Sequence, residues 1–188
     1  MPSISAPFGL RPSYHPSGLD RAVALPGGIP SGYSTNLLKG QPVALNTSGV
    51  IIAATAGSAF QGAFAGVEFT DTTGRRRVSN YWPASTTGTD IVAYYYSDPN
   101  IVYDIQADGS LAQTSIGDQA NFTNISAGST TTGLSACTIS TSLVGSGAVG
   151  DLRIIGLYTG VDNAWGDAYT IVQVQISRSQ YVATINAI

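Results

Sequence analysis

No stretch of this chain carries a helical stripe, and that constrains its architecture more than any other feature. Apolar residues do not recur at i, i+3, i+4 and i+7 over any useful length. Glu, Lys, Met and Gln, which favour helices, are scarce, with Glu68, Lys39 and Met1 each the only residue of its type. Thr, Val, Ile and Tyr, which pack well on a pleated surface, are plentiful. Tyr169–Ser177 alternates cleanly, with Val172, Val174 and Ile176 on one face and Gln173, Gln175 and Ser177 on the other. Strands are also expected over Gln41–Leu45, Val50–Ala56, Gly62–Thr70, Arg75–Trp82, Asp90–Ser97, Ile101–Gln106 and Leu152–Thr159, with a further one over Tyr181–Ile188. Turn signals punctuate them: Asp71-Thr72-Thr73-Gly74, Asp98-Pro99-Asn100 and Asp108-Gly109. Short strands with turns about every 8–12 residues make an all-β fold, an antiparallel β-barrel or sandwich.

Six of the nine prolines fall within the first thirty residues. Proline fixes φ and removes a donor, so neither a helix nor a central strand runs through that stretch. Phe8, Leu10, Tyr14, Leu19, Val23 and Leu25 are too apolar for a disordered tail. Residues 1–32 therefore read as an extended proline-rich N-terminal arm, docked on a neighbouring chain or on its own domain, ahead of a β-domain over 33–188. Docked on a neighbour, the arm is anchored by Phe8, Leu10 and Tyr14, with Arg11 as a charged latch. Residues 126–150 are low in complexity and read as a strand pair with glycine-rich loops or as an insertion.

Charge separates the function classes. Only 10% of the residues are charged, the net charge is −3 and the isoelectric point about 4.7. Such a chain has no bulk attraction for nucleic acid or anionic lipid. So neutral a surface favours burial against copies of the same chain or against a partner. The opening residues show no charged region ahead of an apolar one, so no signal peptide is expected. No apolar run reaches the roughly 20 residues of a membrane-spanning helix.

Chemistry is poorly provided for. The single histidine, His15, lies in the proline-rich stretch, and no G-x-S-x-G occurs, so a Ser-His-Asp hydrolase is not expected. The single cysteine, Cys137, sits in LSACTIS and reads as a buried small hydrophobe. Most aspartates occupy turns. Asp162 and Asp167 flank Asn163 in a stretch that raises calcium, but the twelve-residue EF-hand pattern is absent. No cofactor is expected. Arg75-Arg76-Arg77 is the one basic cluster, read either as a solvated hairpin edge or as a dock for an acidic partner. The aromatics Tyr81-Trp82, Tyr94-Tyr95-Tyr96 and Trp165 suit core packing, a protein interface or a sugar platform.

Five stretches carry a resemblance: FGLRPSYHPSG, YSTNLLKGQPVAL, GAFAGVEFTDTTGRRRVSNYWPA, DIVAYYYSDPNIVYDIQADG and NAWGDAYTIVQVQISRSQY. In their order and spacing the chain resembles the cement, or head-decoration, proteins of tailed bacteriophages. The resemblance implies a non-enzymatic all-β protein, made in the bacterial host cytoplasm and added to the outer capsid surface of the virion. There it clamps neighbouring major capsid protein subunits, commonly as a homotrimer and in some members as a dimer, without touching nucleic acid or membrane. The expected capsid or oligomer contacts are Phe8, Leu10, Arg11, Tyr14, Arg75, Arg76, Arg77, Trp82 and Tyr95. The alternative is a carbohydrate-binding β-sandwich of a phage tail or fibre, using Trp82, Trp165 and the tyrosine run.

Overall fold

The computed structural model describes residues 4–18, 22–183 and 187. In chain order the strands are β1 (Arg11–Tyr14), β2 (Val23–Pro26), β3 (Pro42–Leu45), β4 (Ile51–Ala53), β5 (Gly62–Asp71), β6 (Arg76–Ser79) and β7 (Gly88–Tyr96). They continue with β8 (Val102–Gln106), β9 (Gln119–Thr123), β10 (Gly128–Ser129), β11 (Leu134–Ser135), β12 (Thr138–Leu143), β13 (Leu152–Leu157) and β14 (Ile171–Ile176). The one helical element among the described residues is a 3₁₀ turn at Gln113–Ser115. No helix there is long and apolar enough to cross a membrane.

Two open antiparallel sheets form the body. One runs β1-β8-β14-β13-β9-β12, the other β2-β7-β5-β3-β4 with β6 paired to the far half of β5. Neither closes into a barrel. Residues 126–150 are built in: β10 and β11 form a small hairpin, and β12 pairs with β9 at the sheet edge. Residues 181–183 form no strand, and the rest of the expected final strand, Ala187 apart, lies outside the described residues.

Alternation sorts side chains into two cores. The first lies between the sheets. One sheet supplies Tyr103, Ile105, Phe122, Ile139, Ile154, Val172 and Val174, and the other supplies Ala44 and Ala63. The second covers the opposite face of the second sheet, where Val43, Ile51, Phe64, Val67, Phe69, Ile91, Ala93 and Tyr95 meet Ile29, Leu37 and Trp82. These last three come from irregular segments. Leu37 and Trp82 hold those segments together by exchanging backbone hydrogen bonds of 3.0 and 2.8 Å.

The proline-rich opening is no free arm, which corrects the expectation of one reaching a neighbour. β1 pairs with β8 and β2 with β7, each as an outermost strand of a different sheet. Proline is tolerated there because an edge strand needs only one row of donors. The Gln106 side chain clips the segment before β1, accepting from Ala6 N–H (2.9 Å) and donating to the Ile4 carbonyl (2.9 Å). Leu10 is fully buried in the inter-sheet core. Deleting the opening residues should therefore unseat part of the fold. Leu10→Ala alone should cost about 2–5 kcal/mol. Denaturant titration reads this directly, and an unchanged midpoint would mean the segment is not part of the folded body.

Candidate functional site

The N-terminal segment crosses the domain at a backbone contact that only glycine permits. Gly9 has φ +76°, and a Cβ there would stand 2.6 Å from the Gly40 carbonyl oxygen. Next to it Leu10 N–H donates to that same carbonyl (2.8 Å), and Gly40 N–H donates to the Phe64 carbonyl (2.8 Å). This crossing floors a groove of about 410 Å³ lined by Phe8, Arg11, Pro12, Lys39, Tyr96 and Leu134, among others.

Two cations stand at the groove. Arg11 Nη2 pairs with Asp104 Oδ2 at 3.1 Å, on the neighbouring strand. Its guanidinium lies 4.4 Å from the Phe8 ring centroid and 5.5 Å from that of Tyr158. Arginine is suited to this double role of fork and ring partner. Lys39 is exposed, while its backbone is held by Gly133 and Ser135 at 2.9 and 3.0 Å, beside the partly exposed Leu134. The groove thus combines apolar walls with the exposed Lys39 and an Arg11 already paired with Asp104.

The arginine triplet is placed differently from a free basic patch. β6 is an edge strand on β5, and Arg75, Arg76 and Arg77 are all exposed. Arg76 Nη2 pairs with Glu68 at 2.9 Å and its Nη1 donates to the Asp90 carbonyl at 2.7 Å. Arg77 Nε pairs with Asp71 at 2.8 Å. Asp71 also accepts from the Thr73 hydroxyl and from the Arg75 backbone. Those bonds, with Thr73's first and Arg77's next, hold its carboxyl well below the ordinary range. Glu68 in turn accepts from the Tyr94 hydroxyl (3.0 Å), which pushes that phenol up. Arg76 and Arg77 are thus each paired with a carboxylate of their own chain, Glu68 and Asp71.

The aromatics divide between the core and the surface. Trp82 is 0% exposed and Tyr95 4%, both in the second core. Trp82 stacks edge-on against Phe69 at 5.1 Å. Trp165 packs against the inter-sheet core. Leu10, Trp82 and Tyr95 thus lie inside the folded chain, whereas Tyr94, Tyr96 and Trp165 are half-buried. Phe8 is half-buried at the groove, whereas Tyr14 is exposed at the sheet edge.

Other polar groups serve the fold. Cys137 is buried, and burial pushes its thiol up, away from the thiolate form. His15 Nδ1 accepts from Ser17 N–H at 3.0 Å and Nε2 faces Asp98 at 3.1 Å, so the ring holds a local turn. Asn163 and Asp167 stitch the β13–β14 loop: Asn163 bonds Tyr158 and Ile171, and Asp167 accepts from Ala164 N–H. Among the described residues no three His, Cys, Asp or Glu side chains gather as a metal site.

Lys39 and Leu134 went unread in the sequence as site residues. The groove draws on five segments remote along the chain, and no spacing rule joins them. Comparison with family models, with curated proteins and with solved structures finds no match.

Proposed function

We propose that this chain is a structural protein of a tailed-bacteriophage virion. It binds the outer capsid surface, associates with copies of itself, and clamps neighbouring major capsid protein subunits. One observation carries the reading: large apolar side chains stand in water on a charge-poor sandwich. Val161 is 94% exposed, Val78 81%, Ile4 76% and Tyr181 62%. Val161 sits in the β13–β14 loop and Val78 on the edge strand β6. Single exposed apolar residues are ordinary, but here few charges surround them to keep separate copies apart. The order and spacing of the five resembling stretches supports the same reading.

The test is co-sedimentation with phage heads stripped of surface proteins. The expected result is saturable binding at a fixed copy number, with heads that resist heating better once coated. Protein that stays in the supernatant and leaves head stability unchanged would overturn the proposal.

A further inference from the structure

The two large sheets leave five strands with an outer side, and four of these are closed off. β1 carries Pro12 and a bulge, and β2 ends on Pro26. On β4, Ile51 N–H donates to the Gly28 carbonyl (2.6 Å) and Ala53 N–H to the Tyr33 hydroxyl (3.1 Å). On β12, the Ile139 carbonyl accepts from Asp108 N–H (3.0 Å) and Thr141 N–H donates to the Asp108 carboxylate (2.9 Å). Guards of this kind keep an edge from pairing with another chain.

The fifth strand, β6, lacks them. Asp71 N–H donates to the Arg75 carbonyl (2.9 Å), and the ladder alternates from there. Arg77 and Ser79 therefore bond to β5, while Arg76 and Val78 turn their N–H and C=O groups outward. Among the described residues nothing bonds to those four groups. The Val78 side chain stands in water beside them. Two of the charges that would repel another strand are drawn back to their own chain, Arg76 to Glu68 and Arg77 to Asp71.

The edge is self-complementary about Val78. Three residues before it stands Arg75, exposed, whose guanidinium meets no carboxylate among the described residues. Three residues after it stands Tyr81, half-buried, in a hollow of about 560 Å³ beside β6 that Ser79, Thr86 and Thr87 also line. An antiparallel copy centred on Val78 sets Val78 against Val78, Arg77 against Ser79 and Arg75 toward Tyr81. No arginine then faces an arginine. Sliding the copy by two residues toward the arginines sets Arg77 against Arg77, which like charge disfavours.

We propose that two copies join edge to edge through β6, about a two-fold axis at Val78. The two Val78 residues exchange N–H to C=O hydrogen bonds, and each Arg75 lies against the Tyr81 ring of the other copy. This rests on the reading of the chain as an assembly protein and names a surface through which it self-associates.

Sedimentation velocity of the full chain, without phage heads, is the test. The native protein should show a monomer–dimer equilibrium over about 1 μM to 1 mM. Val78→Pro removes the outward donor and leaves the bonds to β5 intact, so association should fall about tenfold or more at a near-native melting temperature. Arg75→Ser and Tyr81→Leu should each weaken it about three- to tenfold. The double variant should do little more than either alone, the mark of direct contact. Should the proline variant melt early, cysteines read the register instead. Val78→Cys should close a disulfide with its copy under oxidised glutathione, because an opposed hydrogen-bonded pair sets its Cα atoms about 5.5 Å apart. Arg76→Cys, displaced along the strand from its counterpart, should link far more slowly, and the native Cys137 is buried. A native chain that stays monomeric over that range, a stable Val78→Pro variant that associates as before, or faster linking at 76 than at 78 would each overturn the proposal. Co-sedimentation with heads, run in parallel, reads the capsid role separately: heads coated by a chain that stays monomeric overturn the self-contact alone.

Discussion

Replacing Trp82 with alanine should cost about 3–5 kcal/mol of folding stability. The indole is fully buried among Leu37, Phe69 and the second sheet, and its removal opens a cavity that two irregular segments close over. Its indole N–H has no acceptor among the described residues. Trp82→Phe keeps most of the packing and removes that unpaired donor, so it should cost under about 1.5 kcal/mol. Chemical denaturation of the two variants separates a core role from a surface one. A tryptophan used as an outer contact would give an alanine variant with native stability and impaired binding.

The second large effect lies at Asp151. This carboxylate is fully buried and ties together three parts of the inter-sheet region. It accepts from Gly57 N–H (3.0 and 3.1 Å) and from Phe122 N–H (3.1 Å), and it faces Arg178 Nε at 3.9 Å. Arg178 also donates to the Gly57 and Val149 carbonyls. Asp151→Ala leaves two donors and a half-buried cation without their acceptor, a loss of about 3–5 kcal/mol. Burial raises the Asp151 pKa above its ordinary 3.8, against the opposing pull of Gly57, Phe122 and Arg178. Within the window from 3.8 up to the raised value the folded state binds the proton more tightly than the unfolded state. Stability from this group therefore falls as pH rises through that window. The gap between native and Asp151→Ala should narrow accordingly. Asp71, whose pKa is lowered, acts the other way, favouring the fold above the ordinary carboxyl range and losing that support as pH falls. It cancels in the difference because both proteins carry it. A gap that widens with pH would show that the Gly57, Phe122 and Arg178 interactions outweigh burial.

The strands were legible where alternation and turn chemistry agree. Val172, Val174 and Ile176 are all buried along β14, and the Asp71–Gly74 turn joins β5 to β6. The all-β class follows from the same patterns. The N-terminal residues misled because proline forbids a central strand yet permits an edge strand, and four residues at a time give too short a period to recognise. Trp82 and Tyr95 misled for another reason. Alternation tells which residues share a face, not whether irregular chain covers that face, and here the second sheet is covered on both.

The candidate site was legible only in part. Phe8 and Arg11 were visible as an apolar and a charged residue in one segment. Lys39 and Leu134 join them through pairings that the sequence does not announce, the Gly9–Gly40 crossing and the Lys39–Leu134 bridge. The arginine triplet shows the converse. Its charge was plain, but the pairing of Arg76 and Arg77 depends on register, which places Thr70 opposite Arg76 and Phe69 opposite Arg77, within reach of Glu68 and Asp71.

The measurement that bears most directly on the proposed function is a cryo-electron-microscopy map of a phage head coated with this chain. The account predicts sandwich-shaped density on the outer capsid surface, grouped in clusters of copies that touch one another and the capsid subunits beneath. Density for the chain in the tail or fibres, or a bare shell after saturation with protein, would contradict it.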